Sequence, residues 1–254
     1  MMKSAEEIRN AVEKRYAEIA KTGSSCCGDQ TLVQIGYKRE ELEALPEETL
    51  MGLGCGNPVR LAELREGETV VDLGSGGGID VFLAARQVGP SGRVIGVDMT
   101  PEMLARARKN AERLGLTNVG FRQGLIEALP VEDSSVDVIL SNCVINLAPD
   151  KEAVFREACR VLRPGGRVVV SDMVAKGEFP DGIRENPELW ASCIGGALPE
   201  ETYLGIIRQA GFSTVEVLAR EGLDLGHVYS VTVRAEKPGR ISTVSPESKR
   251  AQEP

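Results

Sequence analysis

A glycine-rich turn between a predicted strand and a predicted helix constrains the fold of this chain most. Apolar β-forming residues 69–71 lead into Asp72-Leu73-Gly74-Ser75-Gly76-Gly77-Gly78, and residues 81–86 then show helical spacing. A turn without Cβ atoms at a helix N-terminus exposes backbone N–H groups and lets a ligand approach the main chain. The sequence therefore predicts a strand, turn and helix that bind a nucleotide-like ligand.

The glycine spacing excludes two common nucleotide sites. A dinucleotide fingerprint needs a third glycine where this chain has Ile79, or Val81 if counting starts at Gly76. No Gly-x-x-x-x-Gly-Lys-Ser/Thr run occurs anywhere, so the chain has no P-loop. Neither motif for binding a nucleotide pyrophosphate or triphosphate is therefore present.

A second acidic residue narrows the choice of ligand. Asp98 ends the predicted strand 93–98, where a carboxylate can accept both ribose hydroxyls. The pairing of Asp98 with Asp72-x-Gly74-x-Gly76 resembles the S-adenosylmethionine site of the class I methyltransferases. That resemblance implies that Asp72 and the glycines face the methionine part and that Asp98 holds the ribose. The plain alternative is a tight turn, with Asp98 as a surface residue or cap.

Composition limits the partners of the chain. Its 254 residues carry a formal charge of -8, whereas binding to a nucleic-acid backbone needs clustered Lys and Arg. We therefore expect a small-molecule substrate and no nucleic-acid partner. No run of about 18 apolar residues occurs and the N-terminus is charged, so we expect no membrane partner, no signal peptide and a cytoplasmic location. We also expect a monomer.

Strand and helix patterns alternate along the chain, which is typical of a parallel sheet with helices on both faces. The interior must be aliphatic, because 42% of residues are hydrophobic but only 4% are aromatic. We predict an α/β fold, Rossmann-like and doubly wound, whose seven-stranded sheet has one antiparallel edge strand. The predicted strands cover residues 69–73, 93–98, 119–123, 136–141, 166–172, 214–219 and 228–234, and the helices 79–88, 101–114, 150–162 and 200–210.

Four segments follow from these patterns. Residues 1–68 are predicted to form an N-terminal helical cap with a thiol loop, and residues 69–175 the cofactor-binding core. Residues 176–236 are predicted to hold a substrate-binding insertion and the end of the sheet. Residues 237–254 lack periodicity and are predicted to be a disordered tail.

Six cysteines in a reducing compartment are not expected to form a structural disulfide framework. Cys55 lies in a glycine turn before the core, Cys143 just past the fourth predicted strand, and Cys193 in the late insertion. None belongs to a Cys-x-x-Cys pair, so a structural zinc site is not indicated. Each could be a buried apolar side chain or a ligand, whereas Cys159 lies on an apolar helix face and is interpreted as packing.

The local sequences around these thiols resemble the arsenite methyltransferases. The similar stretches are Gly52-Leu53-Gly54-Cys55-Gly56-Asn57-Pro58, Ser141-Asn142-Cys143-Val144-Ile145-Asn146-Leu147, Cys193-Ile194-Gly195-Gly196-Ala197-Leu198 and Ser24-Ser25-Cys26-Cys27-Gly28. The similarity runs from about residue 4 to about residue 234. It is more specific than the glycine motif.

This resemblance implies a methyl transfer to thiol-bound trivalent arsenic, a soft element that prefers thiolates. Cys143 and Cys193 would be the arsenic ligands retained through the reaction, and Cys55 the third thiol, able to form a disulfide as arsenic changes oxidation state. Cys26 and Cys27 would capture arsenic and pass it inward, or else form a disordered loop. An external thiol reductant such as glutathione or thioredoxin would be required.

The same resemblance implies which residues contact S-adenosylmethionine. Asp72 would touch the methionine amino group or order the loop, and Asn142 would lie near the reacting end. The other implied contacts are Gly74, Ser75, Gly76, Asp98, Met99, Ile126 and Glu127.

Two other functions remain open at this point. Residues 127–137 also resemble the quinone-type class I methyltransferases, which methylate carbon or oxygen of a small organic molecule and need no spaced cysteines. A non-catalytic metal or metalloid sensor would use the thiols without a working cofactor site. An assay for methylated arsenic distinguishes an arsenite methyltransferase from a quinone-type methyltransferase. A cofactor-binding measurement distinguishes it from a non-catalytic sensor.

Overall fold

The computed structural model describes residues 4–23, 29–177, 182, 186–220 and 223–239. Cys26 and Cys27 of the predicted thiol loop lie outside these ranges, as does most of the predicted tail, residues 240–254.

A seven-stranded sheet forms the centre of the molecule. Its strands are β1 (Thr69–Leu73), β2 (Arg93–Asp98), β3 (Val119–Gln123), β4 (Val136–Asn142), β5 (Leu162–Ala175), β6 (Thr214–Ala219) and β7 (Val228–Glu236). They lie in the order β3-β2-β1-β4-β5-β7-β6, with β1 to β5 parallel. The order reverses between β1 and β4, and the crevice at such a switch point is where open α/β sheets bind ligands.

The helices follow in chain order and flank this sheet. They are α1 (Ala5–Thr22), α2 (Asp29–Gln34), α3 (Arg39–Glu43), α4 (Pro58–Leu61), α5 (Ile79–Val88), α6 (Pro101–Arg113), α7 (Lys151–Val161), α8 (Pro187–Ala191) and α9 (Glu200–Gln209), with short 3₁₀ turns at Glu47–Thr49 and Ile145–Leu147. The predicted α/β fold class is confirmed. Among the described helices, none is both long enough and apolar enough to cross a membrane.

The sequence analysis predicted that the antiparallel strand lies at the edge of the sheet, and this prediction is wrong. β7 lies between β5 and β6 and pairs with both in antiparallel orientation. Its apolar side chains, including Val228, Val231 and Val233, are buried, whereas most residues of β6 are half-buried. The more apolar strand takes the interior position because burial of its aliphatic surface stabilises the fold more.

The N-terminal helix α1 begins at a capping box. The Ser4 side chain accepts a hydrogen bond from the Glu7 backbone N–H, and the Glu7 side chain accepts one from the Ser4 backbone N–H. Ile8 and Val12 are buried in a cluster that also contains Cys55 and Cys193. This helix therefore covers the end of the sheet at which the thiols lie.

The sheet extends slightly beyond its predicted boundary. Lys237 accepts a backbone hydrogen bond from Gly165 and donates one to Gly166. The backbone therefore stays paired one residue into the segment predicted as a tail.

Candidate functional site

A cleft of about 300 Å³ opens at the carboxyl ends of the parallel strands, beneath α1. All twelve site residues that the sequence analysis placed within the described part of the chain line it: Cys55, Asp72, Gly74, Ser75, Gly76, Asp98, Met99, Ile126, Glu127, Asn142, Cys143 and Cys193. The cofactor motif and the three thiols therefore face one enclosed space, although their individual roles stay predictions.

The glycine loop after β1 packs tightly against its neighbours on one side and is open on the other. Gly74, with φ of 65°, leaves no room for a side chain, because a Cβ would overlap Val144. A Cβ at Gly76 would meet no atom within 4 Å, so this point of the loop borders free space. The loop thus leaves room for a ligand against its main chain.

Three backbone N–H groups of this loop are already hydrogen-bonded, contrary to the expectation that the loop would expose its N–H groups. Gly74 and Ser75 donate to the Val97 carbonyl at 2.8 and 3.0 Å, and Gly76 donates to Asp98 Oδ2 at 2.9 Å. The Ser75 hydroxyl packs against Gly96, where a Cβ would lie 2.6 Å from it. These three N–H groups are therefore not free to bind an anion.

Three buried carboxylates make the cleft suited to a cationic ligand. Asp72, Asp80 and Asp98 line it and are 3%, 3% and 8% exposed. Burial raises the pKa of Asp72 well above its usual range, and the charges of Asp80 and Asp98 raise it further. Burial also raises the pKa of Asp98, against hydrogen bonds from Thr100 and Gly76. A cationic ligand would relieve this repulsion, and S-adenosylmethionine carries a sulfonium and an ammonium group.

A buried network that the sequence analysis missed connects the cap to the sheet. Asn142 Oδ1 accepts a hydrogen bond from the Cys55 backbone N–H at 2.9 Å. Its Nδ2 donates to the Tyr37 hydroxyl at 2.9 Å and to Asp80 Oδ2 at 3.1 Å, and Tyr37 donates to Asp80 Oδ1 at 2.7 Å. Asn142 was predicted as a cofactor contact, and this geometry also makes it the residue that fixes the Cys55 turn.

An Asp80→Asn variant should gain stability relative to the wild type as the pH rises from about 4 to about 6. Burial raises the pKa of Asp80 to about 6, compared with about 3.9 in an unfolded chain. Over this range the folded protein keeps a proton that the unfolded chain releases, so rising pH weakens the wild-type fold at this group. The measurement is urea unfolding of the apoprotein at both pH values. The unfolding free energy of the variant minus that of the wild type should increase by about 1–3 kcal/mol between about pH 4 and pH 6. A decrease in this free-energy difference would show that hydrogen bonding to Asp80 outweighs the effect of its burial.

The three thiols come from three distant segments of the chain and line the same cleft. Cys55 and Cys143 form a disulfide with Cα atoms 5.4 Å apart. Cys193 is buried, and its Sγ donates to the Cys143 carbonyl at 2.9 Å. Cys143 and Cys193 have φ of 60° and 64°, a strained conformation for residues other than glycine that is enriched at functional sites. Cys159 lies elsewhere, half-buried beside Gly211.

Contacts of Arg9 and Trp190 hold the segments that cover the cleft in place. Arg9 on α1 forms an ion pair at 3.0 Å with Glu127, which was predicted to contact the cofactor. Trp190, three residues before Cys193, donates to the Leu147 carbonyl at 3.1 Å and packs beneath the Lys151 ammonium group. These contacts position α1 and the Cys193 segment over the two ends of the cleft.

One further acidic residue lies beside the thiols. An Asp172 carboxylate oxygen and the Sγ atoms of Cys55 and Cys143 lie within 4.8 Å of one another. Burial raises the pKa of Asp172 to about 7, and hydrogen bonds and the Lys151 charge partly oppose this increase. The sequence analysis missed Asp172, which directly follows Ser171 within a long apolar strand.

Comparison with known proteins places this site among the methyltransferases. A family model described as a methyltransferase domain matches residues 64–211. The arsenite methyltransferase of Halobacterium salinarum is 43% identical over 92% of this chain and 68% of its own length, and that of Aquipseudomonas alcaligenes is 40% identical over 81% and 62%. The crystal structure of CrArsM, an arsenic(III) S-adenosylmethionine methyltransferase from Chlamydomonas reinhardtii, superposes with a TM-score of 0.67 at 36% identity, covering 82% of this chain and 73% of that one. The chain thus spans about two thirds of the length of the curated relatives it matches.

Proposed function

This chain belongs to the arsenite methyltransferases, and we propose that it methylates trivalent arsenic bound by the thiolates of Cys55, Cys143 and Cys193. S-adenosylmethionine is the methyl donor of the family to which it belongs. The proposal rests mainly on one observation, which is that these three thiols line the same cleft as the glycine loop. They are separated by 88 residues (Cys55 to Cys143) and by 50 residues (Cys143 to Cys193) along the chain.

The residues of the chain fit the donor at the other end of the cleft. The buried carboxylates of Asp72, Asp80 and Asp98 favour its positive charge. Gly76 leaves space against the main chain, and Asp98 retains lone pairs for hydroxyl groups beside those that accept from Gly76 and Thr100. S-adenosylmethionine, when bound, supplies an electrophilic methyl group on a sulfonium sulfur.

The thiols would supply the nucleophile. Three thiolates around trivalent arsenic leave one lone pair at the apex of a pyramid, and that lone pair attacks carbon. No general base is needed, and His227, the only histidine of the chain, is exposed and does not line the cleft. The protein contributes alignment and exclusion of water, because α1 and the Cys193 segment cover the cleft.

A thiol reductant must act before arsenic binds. The disulfide between Cys55 and Cys143 leaves Cys193 as the only other thiol placed at this site among the described residues. We therefore propose an external dithiol or thiol of the thioredoxin or glutathione class as the partner that opens it. We further propose a cytoplasmic monomer that has no nucleic-acid or membrane partner.

The proposed function predicts a specific product. Chromatographic speciation after incubation of the reduced protein with arsenite, S-adenosylmethionine and glutathione should show methylated arsenic. Arsenite should also change the fluorescence of Trp190, the single tryptophan of the chain, which lies three residues from Cys193. Intact cofactor binding without any methylated arsenic would contradict the proposal and leave the quinone-type alternative.

A further inference from the structure

Asp172 is a buried acidic residue beside the thiols. It is 0% exposed and, unlike its neighbour Met173, does not line the cleft. Its carboxylate oxygen lies within 4.8 Å of the Sγ atoms of Cys55 and Cys143, both of which do line the cleft. The carboxylate is therefore close to two of the proposed arsenic ligands but outside the space that the donor would occupy.

Three hydrogen bonds hold the Asp172 carboxylate in one place. Oδ1 accepts from the Met173 backbone N–H at 3.0 Å, and Oδ2 accepts from the Asn146 N–H at 3.1 Å and from the Tyr203 hydroxyl at 3.2 Å. The buried Lys151 ammonium group adds a favourable charge. These interactions partly offset the cost of burying a carboxylate beside the thiols.

The proposed reaction moves a positive charge along the cleft. Arsenic bound by three thiolates is neutral, because its three positive charges cancel those of the ligands. The arsenic lone pair forms the As–C bond while the S–CH₃ bond of the sulfonium breaks and its electron pair returns to sulfur. The positive charge thus leaves the end of the cleft that holds Asp72, Asp80 and Asp98 and arrives at arsenic.

Resting on the proposed function, we infer that Asp172 stabilises the positive charge that develops on arsenic during methyl transfer. Without Asp172, the positive charge would move away from three carboxylates and toward the buried Lys151 ammonium group, and this repulsion would raise the barrier. Asp172 supplies a negative group, and its fixed hydrogen bonds mean that little reorganisation is needed as the charge arrives.

The test separates arsenite binding from methyl transfer. In an Asp172→Asn variant, arsenite should quench Trp190 fluorescence with an affinity within about threefold of wild type, because the bound complex is neutral. Single-turnover methylation should fall by about ten- to a hundredfold, because only the transition state carries charge on arsenic. Asp133→Asn, the same substitution at an exposed residue that pairs with Arg160, is the matched control.

Two results would contradict the proposed role of Asp172. A wild-type methylation rate in Asp172→Asn, or an equal loss of arsenite affinity and rate, would overturn it. Calorimetric binding of S-adenosylhomocysteine checks folding, and Asp172→Ser, whose hydroxyl can still accept from Met173, is measured in parallel. If neither variant binds S-adenosylhomocysteine, the carboxylate is structural and the inference fails. If the wild type produces no methylated arsenic, the proposed function itself fails.

Discussion

Cys193→Ser should abolish arsenite methylation while cofactor binding stays near the wild-type value. Two thiolates cannot complete the three-sulfur pyramid, and a serine hydroxyl is a hard, protonated ligand that soft arsenic disfavours, so the rate should fall at least about a hundredfold. The cofactor contacts lie on other residues, so calorimetry with S-adenosylhomocysteine should give an affinity within about twofold of wild type.

Cys159→Ser is the matched control, because this thiol does not line the cleft. It should methylate arsenite at nearly the wild-type rate. Arsenite should still quench Trp190 in this control but not in Cys193→Ser. Full methylation by Cys193→Ser would eliminate the three-thiol site.

Among the substitutions proposed here, Asp98→Ala should cause the largest loss of affinity for S-adenosylmethionine. The carboxylate accepts from Gly76 N–H at 2.9 Å and Thr100 N–H at 2.8 Å. Its removal therefore releases the glycine loop and also deletes the predicted ribose acceptor. Hydrogen bonds to a charged group are worth about 1.5–3 kcal/mol, so Kd for S-adenosylmethionine should rise about ten- to a hundredfold.

Glu102→Ala provides the comparison for Asp98→Ala, because Glu102 is an acidic residue four positions away that pairs with Lys21 on α1. Its removal should leave the calorimetric affinity within about twofold of wild type. Unchanged affinity in Asp98→Ala would show that the ribose is held by another residue and that the loop keeps its shape without the carboxylate.

Much of this fold is encoded in contiguous stretches of sequence. The aliphatic run of β1, the glycines that follow it and the capping box of α1 each specify a local structure, because spacing and side-chain type act within a few residues. The same holds for the boundaries of β2, β3 and β6, which match their predicted residues. The twelve cleft residues were found through motifs of this local kind.

The position of β7 was not encoded locally. Its alternation predicts a strand but does not specify its neighbours, and an antiparallel strand that ends a chain is most simply placed at the edge. The order β5-β7-β6 was decided by which strand buried more aliphatic surface against helices on both faces. That comparison needs the packed structure.

Sequence alone therefore determined the fold class, the glycine loop and the identity of the thiols, because each is a pattern that neighbouring residues carry. Tertiary structure alone decided that Tyr37, Asp80 and Asn142 form one network and that Asp172 lies beside Cys55 and Cys143. These groups are separated by 43 to 105 residues in the network, and no local pattern relates them. Folding brings these groups together in the interior, where the low dielectric makes their electrostatic interactions and hydrogen bonds stronger than in water.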